Sequence, residues 1–160
     1  MKIVANGVLV ALGLVLAAPS ASFAQASASE KPGASRIAVC SLLPKEEVKK
    51  HLPWEGFLDG MPIEDEQVGA AGSACNYPSV YVQVLPFSQG TIDFVRGKGG
   101  EAVEGIGEEA YFRNNENGYA EVLVKVGGHL LTLQANADDG IESVKPNVLS
   151  LANAFVAKLR

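Results

Sequence analysis

Apolar and polar positions alternate most clearly in the second half of the chain. Over residues 119–126 and again over 129–135 apolar side chains recur at every second position, and Gly127-Gly128 separates the two runs. Period two marks strands with one buried face, and a glycine pair is a favoured two-residue hairpin turn. With the turn there, Val126 opposes His129, Val124 opposes Leu131, Val122 opposes Leu133 and Ala120 opposes Ala135, an almost wholly apolar face. Lys125, Glu121, Thr132 and Gln134 share the other face, which is expected to be largely wet.

A second hairpin is predicted between residues 110–113 and 119–126, across the Asn- and Gly-containing stretch 114–118. Residues 79–85 also alternate, with Val80, Val82 and Val84 on one side and Tyr81, Gln83 and Leu85 on the other, until Pro86 ends the pattern. The sheet is expected to begin near Cys75. The preceding stretch, with the acidic run Glu64, Asp65 and Glu66, reads as loop.

Helical spacing takes over at the two ends. From Ser41 a helix is predicted with Pro44 in its first turn and Glu46 and Glu47 near its positive end. Leu43, Val48 and Leu52 face inward, and Pro53 terminates it. One or two helical turns are expected over 91–96. The last helix is expected to start with Ser143 as cap and Pro146 in the first turn, and Val144, Val148, Leu151, Ala152, Phe155 and Leu159 form one stripe. This order predicts a single α+β domain, an antiparallel sheet of 4-5 strands with an N-terminal and a C-terminal helix packed on one face.

The N-terminus changes the setting. Lys2, an apolar run over 8–18 and small residues ending Ala24-Gln25-Ala26 are expected to form a signal peptide, 1–24, cleaved after Ala24 or Ala26. About 11 apolar residues are too few for the roughly 20 that cross a bilayer, so no membrane anchor is expected after cleavage. Residues 25–35, poor in apolar surface, are expected to be a flexible leader to a domain at 36–160.

Export places the two cysteines, Cys40 and Cys75, in an oxidising compartment, periplasmic or extracellular, where a disulfide is expected. Such a bridge, between positions 35 apart, contributes about 4 kcal/mol in the chain-entropy view. Without Lys2 the chain holds 12 basic and 18 acidic residues, a formal charge of −6. That balance disfavours nucleic acid and anionic lipid as partners.

Candidate chemistry is sparse. His51 and His129 belong to no metal-ligand or catalytic spacing, and no nucleophile elbow is present, so neither a catalytic residue, a metal nor a cofactor is expected. Gly97-Lys98-Gly99-Gly100 and Gly105-Ile106-Gly107-Glu108-Glu109 lack the frame of a phosphate loop and read as turns. Glu64, Asp65, Glu66, Asp138 and Asp139 lack the alternating ligand pattern of a calcium loop and read as solvated surface. Trp54, Phe57, Leu58 and Met61 lie close together in a segment rich in Pro and Gly. They are the candidate binding loop, the alternative being a cover over one end of the core.

The segments Cys40-Ser41-Leu42-Leu43-Pro44-Lys45-Glu46-Glu47-Val48, Cys75-Asn76-Tyr77 and Gly105-Ile106-Gly107-Glu108-Glu109-Ala110 resemble a group of small exported bacterial proteins of unknown function, many of them lipoproteins. Members open with Cys-x-Leu-Leu-Thr-x-x-Glu-Val and place a second cysteine before a strand. The resemblance, over about residues 40–133, implies a shared fold and disulfide and brings no catalytic residues. Pro44 replaces the usual Thr, and the lipid-accepting cysteine is absent.

Together these readings point to an exported, non-catalytic binding module acting on an envelope protein or peptide through a loop or a sheet face. The alternatives are a structural or stress-related envelope protein, or a hydrolase without a recognisable motif.

Overall fold

The computed structural model describes residues 36–52, 63–137 and 140–160. The expected signal peptide and leader, the Trp54, Phe57, Leu58 and Met61 loop, and Asp138 with Asp139 lie outside them. The described residues form four helices and a seven-stranded antiparallel sheet. The helices are α1 (Val39–Leu42), α2 (Lys45–His51), α3 (Gln89–Gly97) and α4 (Ile141–Leu159). The strands are β1 (Glu64–Val68), β2 (Gly72–Tyr77), β3 (Val80–Pro86), β4 (Glu101–Ala102), β5 (Glu109–Asn114), β6 (Tyr119–Val126) and β7 (His129–Asn136), in the order β1-β2-β3-β7-β6-β5-β4.

The α+β class and antiparallel sheet are as expected, but the sheet is larger than 4-5 strands. It begins at Glu64, because the acidic run that reads as loop is an edge strand whose Glu64, Asp65, Glu66 and Gln67 are exposed. Charge suits a sheet edge, where it discourages pairing with another chain, so composition hides this strand. The β6–β7 register is the one derived from Gly127-Gly128, with Val124 opposite Leu131 and Val122 opposite Leu133. Both glycines have positive φ, 54° and 79°, as a twist-matched hairpin turn requires.

On one side, Val80, Val82 and Val84 of β3, Val122 and Val124 of β6 and Leu131 and Leu133 of β7 share one buried cluster with Val39 of α1, Val48 of α2 and Val144, Val148, Leu151 and Phe155 of α4. The Cys40–Cys75 disulfide is formed, with Cα atoms 5.1 Å apart, and ties α1 to β2 inside this cluster. The buried Tyr77 hydroxyl donates to the Leu43 carbonyl. Burial, with the Asp65 charge adding, pushes the Tyr77 phenol well above the usual tyrosine range.

Three local expectations fail for identifiable reasons. The first helix is broken in two: the residue before a proline avoids helical geometry, so Leu43 (φ −122°, ψ 74°) closes α1 and Pro44 becomes the N-cap of α2. The last helix begins earlier than expected, after Gly140. Ser143 therefore lies in its first turn, with the hydroxyl donating to the Gly140 carbonyl at 2.8 Å, and Pro146 lies inside the helix. The face expected to be wet is partly sealed, because Leu123 and Leu130 are buried in a second cluster with Ile92 and Val95 of α3.

Candidate functional site

The rest of that second face carries the most distinctive arrangement of the molecule. Register places Asn76 beside Tyr81, Tyr81 beside Gln134, Gln134 beside Glu121 and Glu121 beside Arg113. One polar row thus crosses β2, β3, β7, β6 and β5. With neighbouring strands about 4.8 Å apart, it spans roughly 19 Å.

Glu121 anchors the row. Its side chain is only 4% exposed, and it accepts hydrogen bonds from Arg113 Nε at 2.7 Å, Gln134 Nε2 at 2.7 Å and Asn115 Nδ2 at 3.3 Å. A buried carboxylate is tolerated only when its charge and lone pairs are met, and here both are. Asn115 is fixed in turn by the β5–β6 turn, where its Oδ1 accepts from the backbone N–H groups of Asn117 and Tyr119 at 2.9 and 3.0 Å. The amide planes of Asn115 and Gln134 are therefore held before any ligand arrives.

Two cavities open along the row and share Gln134 as a wall. One, of about 250 Å³, is lined by Asn76, Tyr77, Ser79, Val80, Tyr81, Tyr119 and Gln134. The other, of about 170 Å³, is lined by Phe94, Arg113, Asn115, Glu116, Asn117, Glu121 and Gln134. Tyr119 and Phe94, 39% and 53% exposed, stand over them as exposed aromatics. The Arg113 guanidinium lies 5.6 Å from the Phe94 ring centre, a cation–π distance that steadies the exposed ring. Ser79 adopts φ 54° in the β2–β3 turn, a position glycine normally takes, and such strain clusters at functional sites. Tyr81 Oη accepts from Gln83 Nε2 at 3.2 Å, and burial, followed by the Glu66 charge, raises its pKa.

The residues singled out in the sequence fall elsewhere. The Trp54 loop lies outside the described residues. Cys40 and Cys75 are spent on the disulfide. Asp65 lies within 4.8 Å of both sulfurs and its Oδ1 accepts a long hydrogen bond, 3.4 Å, from the Cys40 backbone N–H; with the sulfurs bonded to each other, neither is a thiolate that could hold a metal. His129 lines a cavity of about 180 Å³ with Ile37, Ala71, Ser73, Val84, Pro86 and Gly128, where the Ser73 hydroxyl already donates to the Ile37 carbonyl.

His51 bridges α2 and α4. Its Nδ1 is 2.9 Å from Ser150 Oγ, and its Nε2 is 3.5 Å from Glu47 Oε1. Lys50, 2.9 Å from Glu47, holds that carboxyl below the usual range through a side-chain hydrogen bond. The order Glu–His–Ser resembles a relay, but Ser150 sits mid-helix, where the neighbouring backbone N–H groups are committed to α4 and cannot stabilise an oxyanion.

The Gly105-Ile106-Gly107 segment, read from sequence as a turn, lies against β6. Gly107 (φ 64°) lies so close to Val124 and to the Lys125 carbonyl, 2.6 Å from where a Cβ would stand, that a side chain does not fit. Glu108 N–H donates to the Lys125 carbonyl at 2.8 Å, and Glu108 Oε1 accepts from Gly127 N–H at 2.8 Å.

Sequence reasoning missed the row because it needs four strand registers at once. The signal available was the pairing of Glu121 with Gln134 in the glycine hairpin. The ladder from Gln134 out to Tyr81 and Asn76 depends on β3 pairing with β7, a contact distant in sequence. Comparison of the chain with protein-family models, with curated proteins and with solved structures finds no match for any of the three.

Proposed function

We propose that this chain is an exported binding module without catalytic activity, and that the polar row across the sheet is its binding face. The observation that carries this reading is the buried Glu121, whose Arg113 and Asn115 partners line one cavity and whose Gln134 partner forms the wall between that cavity and a second, each with an exposed aromatic residue in its lining. Buried polar side chains whose hydrogen bonds are all met are held in fixed positions, as a recognition surface requires. In this reading α1, α2 and α4 form the back layer that stiffens the sheet, and the front layer is left open beside α3.

Export is supported by the disulfide, which fits an oxidising compartment, and by the resemblance to small exported bacterial proteins. The partner would be an envelope component of the periplasm or the medium. Native mass spectrometry of the protein recovered unreduced from its cell envelope tests the reading. A processed, oxidised chain retaining extra mass supports it, provided Tyr119→Ala releases that mass. Retention unaffected by Tyr119→Ala places binding elsewhere on the chain.

A hydrolase is the second reading; its one support is the Glu47, His51 and Ser150 arrangement, which would need oxyanion donors from outside α4. Turnover of ester or amide substrates that disappears in Ser150→Ala would establish it against the binding module.

A further inference from the structure

Resting on the binding-face reading above, we propose that the row holds a neutral saccharide chain, with consecutive sugar rings lodged on either side of Gln134. Three observations carry the ligand class. The first is charge. The larger cavity is lined by tyrosines, amides, a serine and a valine, with no carboxylate, ammonium or guanidinium in its wall. In the smaller one Glu121 is matched by Arg113 at 2.7 Å, and Glu116 by Lys98 at 3.1 Å. An ionic ligand would enter with no counter-charge left to meet it, and desolvating it there is unfavourable.

The second is the shape of the polar groups. Gln134 and Asn115 are planar amides held by their bonds to Glu121; Gln134 keeps one N–H and its carbonyl oxygen in fixed directions, while Asn115, whose oxygen already accepts from Asn117 and Tyr119, keeps one N–H. Adjacent hydroxyl groups on a sugar ring match such planar groups two at a time. Tyr119 and Phe94 are the exposed aromatics beside the cavities, and Tyr119, whose ring carries no cation contact among the described residues, supplies apolar surface for one side of a sugar ring. The cavities, at about 250 and 170 Å³, are each smaller than the roughly 300–1,000 Å³ of a site for a drug-sized ligand. Two small adjoining compartments fit a chain of small units better than one large molecule.

The third is direction. An extended peptide gains most of its affinity by adding its backbone to a sheet edge. The row crosses β3, β7 and β6, inner strands whose backbone groups are paired with neighbours on both sides, so only side chains are offered. That disfavours a peptide and suits a ligand recognised through hydroxyls.

The test is calorimetric titration of the full chain, with its disulfide intact, against neutral tri- and tetrasaccharides of hexose and N-acetylhexosamine units. Acidic oligosaccharides and a neutral extended hexapeptide are titrated alongside. The expected result is binding of a neutral saccharide that Tyr119→Ala and Gln134→Ala each weaken about tenfold or more, the scale of one lost hydrogen bond or ring contact. Because Tyr119 is exposed, its variant folds normally and keeps the test decisive if Gln134→Ala does not. Binding of only the peptide or an acidic sugar, still sensitive to Tyr119→Ala, overturns the saccharide assignment and leaves the binding face standing. No binding by any of these probes overturns the saccharide assignment and leaves the binding face to the native mass measurement, whereas binding indifferent to both variants overturns the saccharide assignment and the binding face together.

Discussion

On the face shared with α1, α2 and α4, Val82, Val122, Val124, Leu131 and Leu133 are sealed from water, whereas the face beneath α3 is divided. There Leu123 and Leu130 are covered by Ile92 and Val95, and two residues before Leu123 in β6 Glu121 is buried among polar partners. Apart from the disulfide and the Tyr77 hydroxyl, the first face is made by shape: each well-buried aliphatic side chain contributes about 1.5–3 kcal/mol, and the alternatives are interchangeable if volume is kept. The second requires particular atoms in particular places. A surface that specifies atoms rather than volume is the one on which recognition is expected.

The sharpest way to break this contrast is to truncate both faces and compare. Phe155→Ala, in the fully buried stripe of α4, is expected to cost about 3–5 kcal/mol in urea denaturation. Ile92→Ala is expected to cost about 2–3 kcal/mol, because only a nine-residue helix loses its anchor. Amide exchange should quicken first in α3 while the β6–β7 ladder stays protected; equal loss of protection throughout would mean that the two clusters form one cooperative unit.

Glu121→Ala addresses the polar half. It leaves the Arg113 guanidinium, largely buried, without its counter-charge, and is expected to cost about 2 kcal/mol, below the roughly 3–5 of a fully enclosed pair because the Arg113 side chain keeps 13% of its exposure. Pairing it with Arg113→Met should recover much of that stability, since a hydrophobic pair can replace a buried ion pair. The double variant is nevertheless expected to lose any ligand the row binds. Recovery of stability and binding together would show that the row is structural only.

The smallest effect concerns the β6–β7 turn. The Gly127 backbone N–H donated to Glu108, with Lys125 3.3 Å away, holds this carboxyl below the usual glutamate range. A lowered folded-state pKa means the carboxylate stabilises the fold above the ordinary value of about 4.3 and stops doing so as pH falls through the folded-state value. Exchange of the Gly127 amide should therefore quicken in acid beyond its intrinsic pH dependence, and Glu108→Ala should remove that excess.

Periodicity and turn chemistry made much of the fold readable. Alternation in β3, β6 and β7, the glycine pair at 127–128 and the apolar stripe of α4 each depend on residues close in sequence, so their signals survive without knowledge of the fold. Where a local rule competed with a distant partner, reading failed. Glu64–Val68 has the composition of a loop and becomes a strand only because β2 presents an unpaired edge to it. Leu123 and Leu130 read as wet-face residues until α3 lies over them.

The sequence by itself determined the α+β class, the hairpin register and the cysteine pairing, because with two cysteines and strict two-residue periodicity the alternatives are few. Only the tertiary structure decided the polar row. Asn76, Tyr81, Gln134, Glu121 and Arg113 come from five strands spread over the middle of the chain, and no spacing rule joins them. They meet because β7 inserts between β3 and β6, a choice made by burying one continuous apolar face rather than by any property of the five residues themselves.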